Sequence, residues 1–313
     1  MKESLKILLS EHQVRKTKKQ KQEFRDWLTG YLSESGYTLK EDWYSRSGCN
    51  LVAGDVRSAE AVFAAHYDTP PNFIFPVIIG FSNWFSFFIS QFLAVLPLAA
   101  VLSLYIFIAA WFSFSFLFFM AAPLICLAYS VQIMFGAANR NNANDNSSGT
   151  AVLISFLEQL PEEERDKVCV VFFDQEELGL VGSKYFYKKY KEYMNDKPLV
   201  NFDCVGDGQT LTFILKKKFR DSEYSVLLKD AAEKSAENTE KKLRFAGALT
   251  NVYMSDQMSF PLSAGVAAAK KIPLFGYYLS RIHSSFDTKF DTENISVLAE
   301  TMIRFTSALQ RRT

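Results

Sequence analysis

Histidine and carboxylate side chains follow short apolar runs at several places in the sequence. Each run has the length and composition of a buried β-strand, and strand ends are where functional side chains lie in α/β proteins. With an aspartate that precedes a predicted helix and a second histidine further along the chain, the residues are His66, Asp145, Glu177, Asp203 and His283. Two imidazoles and three carboxylates suit Zn²⁺, with Co²⁺ or Mn²⁺ as substitutes. Five protein ligands exceed the four of one tetrahedral zinc, so the set predicts two metal ions that share a carboxylate.

Each motif taken alone also has an ordinary structural interpretation. His66 with Asp68 can form a turn at a strand end, and Asp145 can simply cap the next helix. Adjacent acids such as Glu176 and Glu177 are common on surfaces. At the end of a buried strand they are more informative, because one can bind a metal while its neighbour acts as a general base. Only three histidines occur in the chain, and two of them are in these positions.

The elements that must position these residues alternate between strand and helix. Residues 61–65, 168–173 and 199–202 are short apolar runs, and residues 151–160 have helical periodicity. A closing helix is predicted over residues 297–310. This alternation predicts an α/β fold with a mixed, largely parallel sheet covered by helices on both faces.

A long uncharged segment interrupts this pattern. Residues 73–135 carry no charge and are rich in Phe, Leu, Ile, Val and Ala. About 20 apolar residues span a bilayer, so the segment predicts a transmembrane helical hairpin, with a turn near residues 113–115. The predicted organisation is therefore a discontinuous domain of residues 1–72 and 136–313, in which residues 1–40 form a helical region.

Charge and cysteine content exclude several classes of protein. Lys plus Arg number 35 and Asp plus Glu 34, so no global field favours nucleic acid. The four cysteines show no paired spacing, which argues against a disulfide framework or a cysteine-rich zinc site. The basic cluster at residues 15–21 has two interpretations, contact with anionic lipid or a solvated helix face.

The order of the motifs resembles peptidase family M28, the zinc aminopeptidases. The matching stretches are AHYDT (65–69), NDNSSGTA (144–151), FFDQEELGLVGS (172–183), NFDCVG (201–206), SDQMSF (255–260) and IHSSFDT (282–288). The resemblance covers the chain from about residue 45 to the C-terminus, apart from residues 73–135. It implies that His66 and Asp203 hold one zinc, that Glu177 and His283 hold the other, and that Asp145 bridges the two ions.

The resemblance also assigns the remaining roles. Glu176 is expected to be the general base, and Asp68 a carboxylate behind His66. Asp256 and Phe260 match a motif of the substrate-side wall. The chain departs from the family where residues 73–135 replace a short loop between the first histidine motif and the bridging aspartate.

The expected activity is hydrolysis of the first peptide bond of a peptide with a free N-terminus. A glutaminyl-cyclase-like enzyme with one zinc and a non-catalytic membrane scaffold are the alternatives. Because His66 and Asp145 must meet at one site, residues 73–135 must leave the membrane on the side where they enter. Residues 1–40 contain no long apolar run, so we expect no secretory signal. We therefore expect an integral membrane protein with its catalytic domain in the cytoplasm.

Overall fold

A mixed sheet of ten strands carries the predicted strand ends. The computed structural model describes residues 2–73, 77–112 and 120–309. In this part of the chain the strands are β1 (Leu39–Trp43), β2 (Cys49–Ala53), β3 (Ala61–His66), β4 (Ile78–Gly80), β5 (Val168–Phe173), β6 (Leu199–Phe202), β7 (Thr210–Leu215), β8 (Lys242–Gly247), β9 (Ser263–Ile272) and β10 (Gly276–Ser280). Their order across the sheet is β1-β2-β5-β3-β6-β9-β10-β4, and β7 pairs with both β8 and β9.

The central strands β5, β3, β6 and β9 run parallel to one another. Alternate residues of a strand point to opposite faces. Phe63 and Val170 accordingly join one apolar cluster, while Val62 and Val171 join another. Strands buried on both faces read as continuous apolar runs, which is why the sequence revealed them. The predicted fold class is confirmed.

Helices cover both faces of this sheet. The described α-helices are α1 (Glu3–Ser10), α2 (Lys18–Glu34), α3 (Trp84–Trp111), α4 (Ala121–Phe135), α5 (Ser147–Gln159), α6 (Val181–Lys189), α7 (Lys191–Met194), α8 (Lys217–Arg220), α9 (Glu223–Ala236) and α10 (Thr292–Ala308). Helices α1, α2, α5, α9 and α10 contribute to the larger apolar cluster, and α6 and α7 contribute to the smaller one on the other face.

Two predicted helices begin several residues earlier than their apolar periodicity suggests. Helix α5 starts at Ser147 because the Asn146 side chain accepts a hydrogen bond from the backbone N–H of Gly149, at 2.9 Å. Helix α10 starts at Thr292, where Asp291 caps the first turn in the same way. Both caps are polar residues that precede the apolar stripe, so periodicity alone places the start too late.

Aromatic packing holds β3 against two of these helices. The ring of Phe63 meets Phe156 of α5 edge to face at 5.0 Å, and Phe305 of α10 at 6.2 Å. Truncating a fully buried phenylalanine to alanine costs about 3–5 kcal/mol. The same contacts fix the position of His66, the last residue of β3.

In its described residues, the uncharged segment forms a strand and two helices. Strand β4 pairs with β10. Helix α3 is 28 residues long, and only 6% of its most apolar stretch of 18 residues is buried. At 1.5 Å per residue α3 is about 42 Å long, enough to span a bilayer, whereas the 15-residue α4 reaches only about 22 Å. The two helices contact each other. The predicted turn at residues 113–115 lies outside the described residues.

Candidate metal centre

The strand register brings the predicted ligands to one edge of the sheet. His66 of β3 pairs with Phe173 of β5, so residues 174–177 follow beside it. Ala64 of β3 pairs with Asn201 of β6, which puts Asp203 level with His66 two residues further on. Asp145 lies just before the start of α5 at the same edge. Parallel strands end together, and this gathers residues that are far apart in the sequence.

Asp145 stands between the two histidines, with one carboxylate oxygen facing each. Its Oδ2 lies 2.9 Å from Nε2 of His283, and its Oδ1 lies 3.5 Å from Nε2 of His66. His66 Nε2 is also 3.6 Å from Asp203 Oδ1, and His283 Nε2 is 3.6 Å from Glu177 Oε2. The five predicted ligands thus form two groups that have Asp145 in common.

The donor atoms of both groups fit a divalent cation. Within each group the candidate ligand atoms lie within 4.8 Å of one another. Glu177 Oε1 and Asp203 Oδ1 are buried and accept no hydrogen bond from the described residues. Buried carboxylate oxygens without a partner are costly unless a cation satisfies them. Imidazole and carboxylate are the ligands that zinc accepts.

The site concentrates negative charge in a buried place. Burial raises the pKa of Glu176 well above its usual range, and neighbouring carboxylates such as Glu177 raise it further. Burial and then Asp145 raise the pKa of Glu177 in the same manner. For His66, burial alone would lower the pKa, but Glu176 and the other surrounding carboxylates raise it well above its usual range. A bound cation would offset this excess of negative charge.

Asp68 holds the turn that carries the two glutamates. Its carboxylate accepts hydrogen bonds from the backbone N–H of Glu176 at 3.0 Å and of Glu177 at 3.2 Å. The Nδ1 atom of His66 lies 3.1 Å from the backbone oxygen of Asp68 and 3.6 Å from its carboxylate. The carboxylate therefore contacts the glutamate turn more closely than it contacts the histidine.

Backbone strain is concentrated next to the candidate ligands. Gln175 (φ 59°), Cys204 (φ 54°) and His283 (φ 56°) occupy the left-handed region, which residues other than glycine rarely adopt. Such conformations cost about 1–3 kcal/mol each and persist where the surroundings enforce them, often at functional sites. Here they turn the chain so that Glu176, Asp203 and His283 itself face a common point.

Two residues of the N-terminal basic cluster lie behind the site, buried from solvent. The guanidinium of Arg15 is fully buried and donates hydrogen bonds to the backbone oxygen of Tyr67 and, at 3.1 Å, to Ser147 Oγ. Lys21 forms a buried ion pair with Asp174. For Arg15 and Lys21 both sequence-based interpretations, lipid contact and a solvated face, are therefore wrong.

A further carboxylate fixes the loop before α5. Asp287 accepts hydrogen bonds from the backbone N–H of Asn144 at 2.8 Å and of Asp145 at 2.9 Å. Burial raises its pKa to about 8. Asp287 is not among the residues predicted from the sequence, although it lies in the IHSSFDT motif, four residues after His283.

A cavity of about 240 Å³ opens beside these groups. Its polar lining consists chiefly of His66, Asp145, Glu176, Glu177, Asp203 and His283. The remaining lining is largely apolar and includes Ile79 of β4, Phe87 of α3, Leu279 of β10 and Ile282. Gln91 of α3 adds an amide. The long uncharged segment therefore contributes directly to the cavity.

The two predicted substrate-wall residues lie behind the cavity lining. Asp256 is fully buried, its carboxylate oxygens accept no hydrogen bond from the described residues, and burial raises its pKa to about 7. Phe260 is fully buried in the smaller apolar cluster, where its ring stacks on Phe173 at 5.9 Å. Neither is among the described residues that line the cavity.

Three solved structures that resemble the chain have related folds. A Zn-dependent exopeptidase from Parabacteroides distasonis has a TM-score of 0.60 at 14% identity, over 97% of this chain and 96% of that one. The glutaminyl cyclase of Porphyromonas gingivalis has a TM-score of 0.59 at 16% identity, over 97% and 95%. The LapA aminopeptidase of Legionella pneumophila has a TM-score of 0.55 at 14% identity, over 99% and 68%. At these identities the likeness shows the fold alone.

Sequence comparison identifies the family. No curated protein matches the chain. The model of peptidase family M28 matches residues 130–306, which is more than half of the chain and includes Asp145, Glu176, Glu177, Asp203 and His283. His66 lies outside the matched range, on the strand whose register brings it to the same edge of the sheet. The chain therefore belongs to peptidase family M28.

Proposed function

We propose that this protein is a membrane-anchored aminopeptidase that removes N-terminal residues at a site for two zinc ions. The observation that carries the proposal is the position of Asp145, whose two carboxylate oxygens face different histidines. In such a site His66 and Asp203 would hold one zinc, Glu177 and His283 would hold the other, and Asp145 would be shared between them. A shared carboxylate between two ions is typical of co-catalytic hydrolases.

Glu176 is the proposed general base. When bound, the zinc ions would polarise the scissile carbonyl and acidify the attacking water. Glu176 lines the cavity, and the hydrogen bond from its backbone to Asp68 fixes its place beside the ligand Glu177. It takes a proton from the water and passes it to the leaving amine. Of the two neighbouring glutamates, Glu176 thus transfers the proton and Glu177 binds the metal.

The size of the cavity supports action on the end of a chain. At about 240 Å³ it lies below the roughly 300–1,000 Å³ that is typical of small-molecule sites. Such a space suits one terminal residue better than a long internal segment. The proposed substrate is therefore a peptide with a free N-terminus.

The proposed membrane anchor is built on α3. Its surface is apolar and exposed, and Trp84 (53% exposed) and Trp111 (73% exposed) stand at its two ends. Tryptophan is enriched at both membrane interfaces. His66 and Asp145 meet at one site, so residues 73–135 return to the side from which they start, which we place in the cytoplasm. A single engineered cysteine, Ser113→Cys, should then react with an impermeant reagent in intact cells, and cysteines at the termini should not. The opposite pattern would place the catalytic domain outside.

The main alternative is cyclisation of N-terminal glutamine at a single zinc, since glutaminyl cyclases share this fold. The two donor groups around Asp145 favour hydrolysis, because a single-zinc enzyme uses only one of them. A non-catalytic scaffold is the less supported alternative, since all five proposed ligands and Glu176 are present and gathered at one edge of the sheet.

A direct assay separates these functions. Detergent-solubilised protein is incubated with aminoacyl fluorogenic amides and, separately, with a peptide that begins with glutamine. The proposal expects release of the fluorogenic amine, inhibition by a chelator, and recovery on adding zinc or cobalt. Cyclisation without hydrolysis would favour the cyclase, and full hydrolytic activity after exhaustive chelation would contradict a metal mechanism.

A further inference from the structure

The membrane segment also contributes to the proposed substrate cavity. We propose that the start of α3 forms one wall of this cavity, where Phe87 selects peptides with an apolar N-terminal residue and Gln91 bonds the peptide backbone. This inference rests on the proposed aminopeptidase function and specifies its substrate class.

A short strand attaches the membrane segment to the peptidase sheet. Ile79 of β4 pairs with Leu279 of β10, and both side chains line the cavity. The helix begins a few residues later, where Asn83 caps it by accepting a hydrogen bond from the backbone N–H of Ser86 at 2.7 Å. The strand pairing and the cap together set the direction in which α3 leaves the sheet.

One face of the first two turns of α3 is directed at the site. Phe87 and Gln91 are four residues apart, so they lie on the same side of the helix, and both line the cavity. Ser90, beside them, is buried. Phe88 and Phe92 are 61% and 64% exposed and are absent from the described cavity lining. Phe87 is partly buried, whereas Gln91 is itself exposed and differs from Phe88 and Phe92 in that it lines the cavity.

The chemistry of this wall suits an apolar side chain. Phe87, Ile79, Leu279 and Ile282 supply apolar surface, and the described lining contains no lysine or arginine. The amide of Gln91 makes no hydrogen bond with the part of the chain that the structure describes. It is the one polar side chain that α3 adds to the described lining, and it can bond the backbone of a peptide.

The position of this wall relates the site to the membrane surface. Gln91 is the eighth residue of α3, about 10 Å along a helix of about 42 Å at 1.5 Å per residue. The cavity thus lies beside the Trp84 end of the proposed span. A peptide with an apolar N-terminus would reach the site at the membrane interface, into which such peptides partition.

Substitutions at these two positions test the inference. We expect the wild type to prefer leucyl and phenylalanyl amides over alanyl and lysyl amides. Phe87→Ala enlarges the pocket and should raise the phenylalanyl-to-alanyl ratio of kcat/KM about tenfold or more, whereas Phe87→Trp should lower it. Small changes of fit in an apolar pocket alter such ratios by about 10–200-fold. Gln91→Leu should raise KM for peptides about three- to tenfold with little change in kcat, as expected for a lost hydrogen bond.

The matched control is Phe88→Ala, which removes the same side chain from the exposed face of the same turn. Its ratios should equal those of the wild type, and zinc content should be the same in all variants. If the wild type hydrolyses amides but Phe87→Ala, Phe87→Trp and Phe88→Ala share one ratio, the inference is overturned and the aminopeptidase function stands. A wild-type preference for lysyl amides would also overturn it.

Binding gives a readout that does not depend on turnover. The dissociation constant of a leucyl dipeptide is measured by calorimetry on the Glu176→Gln protein, alone and combined with each variant. Weaker binding with Phe87→Ala and Gln91→Leu, but not with Phe88→Ala, would support the inference even if no amide were hydrolysed and the proposed function failed. Equal binding by all variants would refute it.

Discussion

Replacing Asp68 by asparagine separates two roles for this carboxylate. The family resemblance places it behind His66, whereas its closest contacts are the backbone N–H groups of Glu176 and Glu177, at 3.0 and 3.2 Å. Asparagine keeps one acceptor oxygen and presents an NH₂ group to the other N–H. One hydrogen bond to a charged acceptor is lost, a change of about 1.5–3 kcal/mol. The turn that positions the general base should be destabilised by this free energy.

The expected result is a fall in kcat of about 10–150-fold with bound zinc nearly unchanged, since 1.4 kcal/mol corresponds to a factor of ten. Steady-state kinetics and metal analysis on the same preparation measure both quantities. Asp26→Asn, at an exposed aspartate of α2, is the control and should change neither. Loss of zinc as severe as that in His66→Ala would mean that Asp68 acts through the histidine. An unchanged kcat would refute the role assigned to the turn.

Four further predictions address the base, the ligands, the buried acid and the buried arginine. Glu176→Gln should reduce turnover a hundredfold or more while bound zinc is retained; loss of zinc with activity would make Glu176 a ligand. His66→Ala and His283→Ala should each lower zinc content and activity together, as metal analysis will show. In zinc-free protein, burial raises the pKa of Asp256 in the folded state to about 7. Protonation of Asp256 therefore stabilises the folded state, fully below about pH 4, and this contribution is lost as the pH rises to about 7. Asp256→Asn should remove this pH dependence from the free energy of unfolding, a change of about 4 kcal/mol between pH 4 and pH 7. Arg15→Met should lower stability by about 1–3 kcal/mol, because it leaves buried acceptors such as the backbone oxygen of Tyr67 without a donor; chemical unfolding should show no such loss for the exposed Lys18→Met.

The strands, and the clustering of the proposed ligands at one edge of the sheet, could be predicted because their signals are local. Strands buried on both faces give continuous apolar runs, and β3, β5 and β6 end where those runs end. Parallel pairing then brings His66, the 174–177 turn and Asp203 together without further information. Residues at strand ends are therefore the part of the site that a sequence reveals most readily.

The residues that support the ligands could not be predicted in this way. Arg15 and Lys21 belong to a basic stretch whose composition is typical of an exposed surface. They are buried only because the N-terminal segment packs against the ends of β3 and β5. Phe87 and Gln91 lie in a segment whose composition indicates membrane, so no local pattern suggests contact with a substrate. Phe260, in contrast, belongs to a motif but packs in the core. Tertiary contacts decide all of these positions.

The number of zinc ions needed for activity distinguishes a two-metal site from a single-zinc site. Chelated, metal-free protein is titrated with zinc while aminopeptidase activity and bound metal are measured at each step. We expect that activity reaches its plateau at two equivalents per chain, and that Asp145→Asn reduces binding of both ions because each oxygen faces a different histidine. A plateau at one equivalent, with no further binding, would contradict the two-metal site and favour the single-zinc alternative.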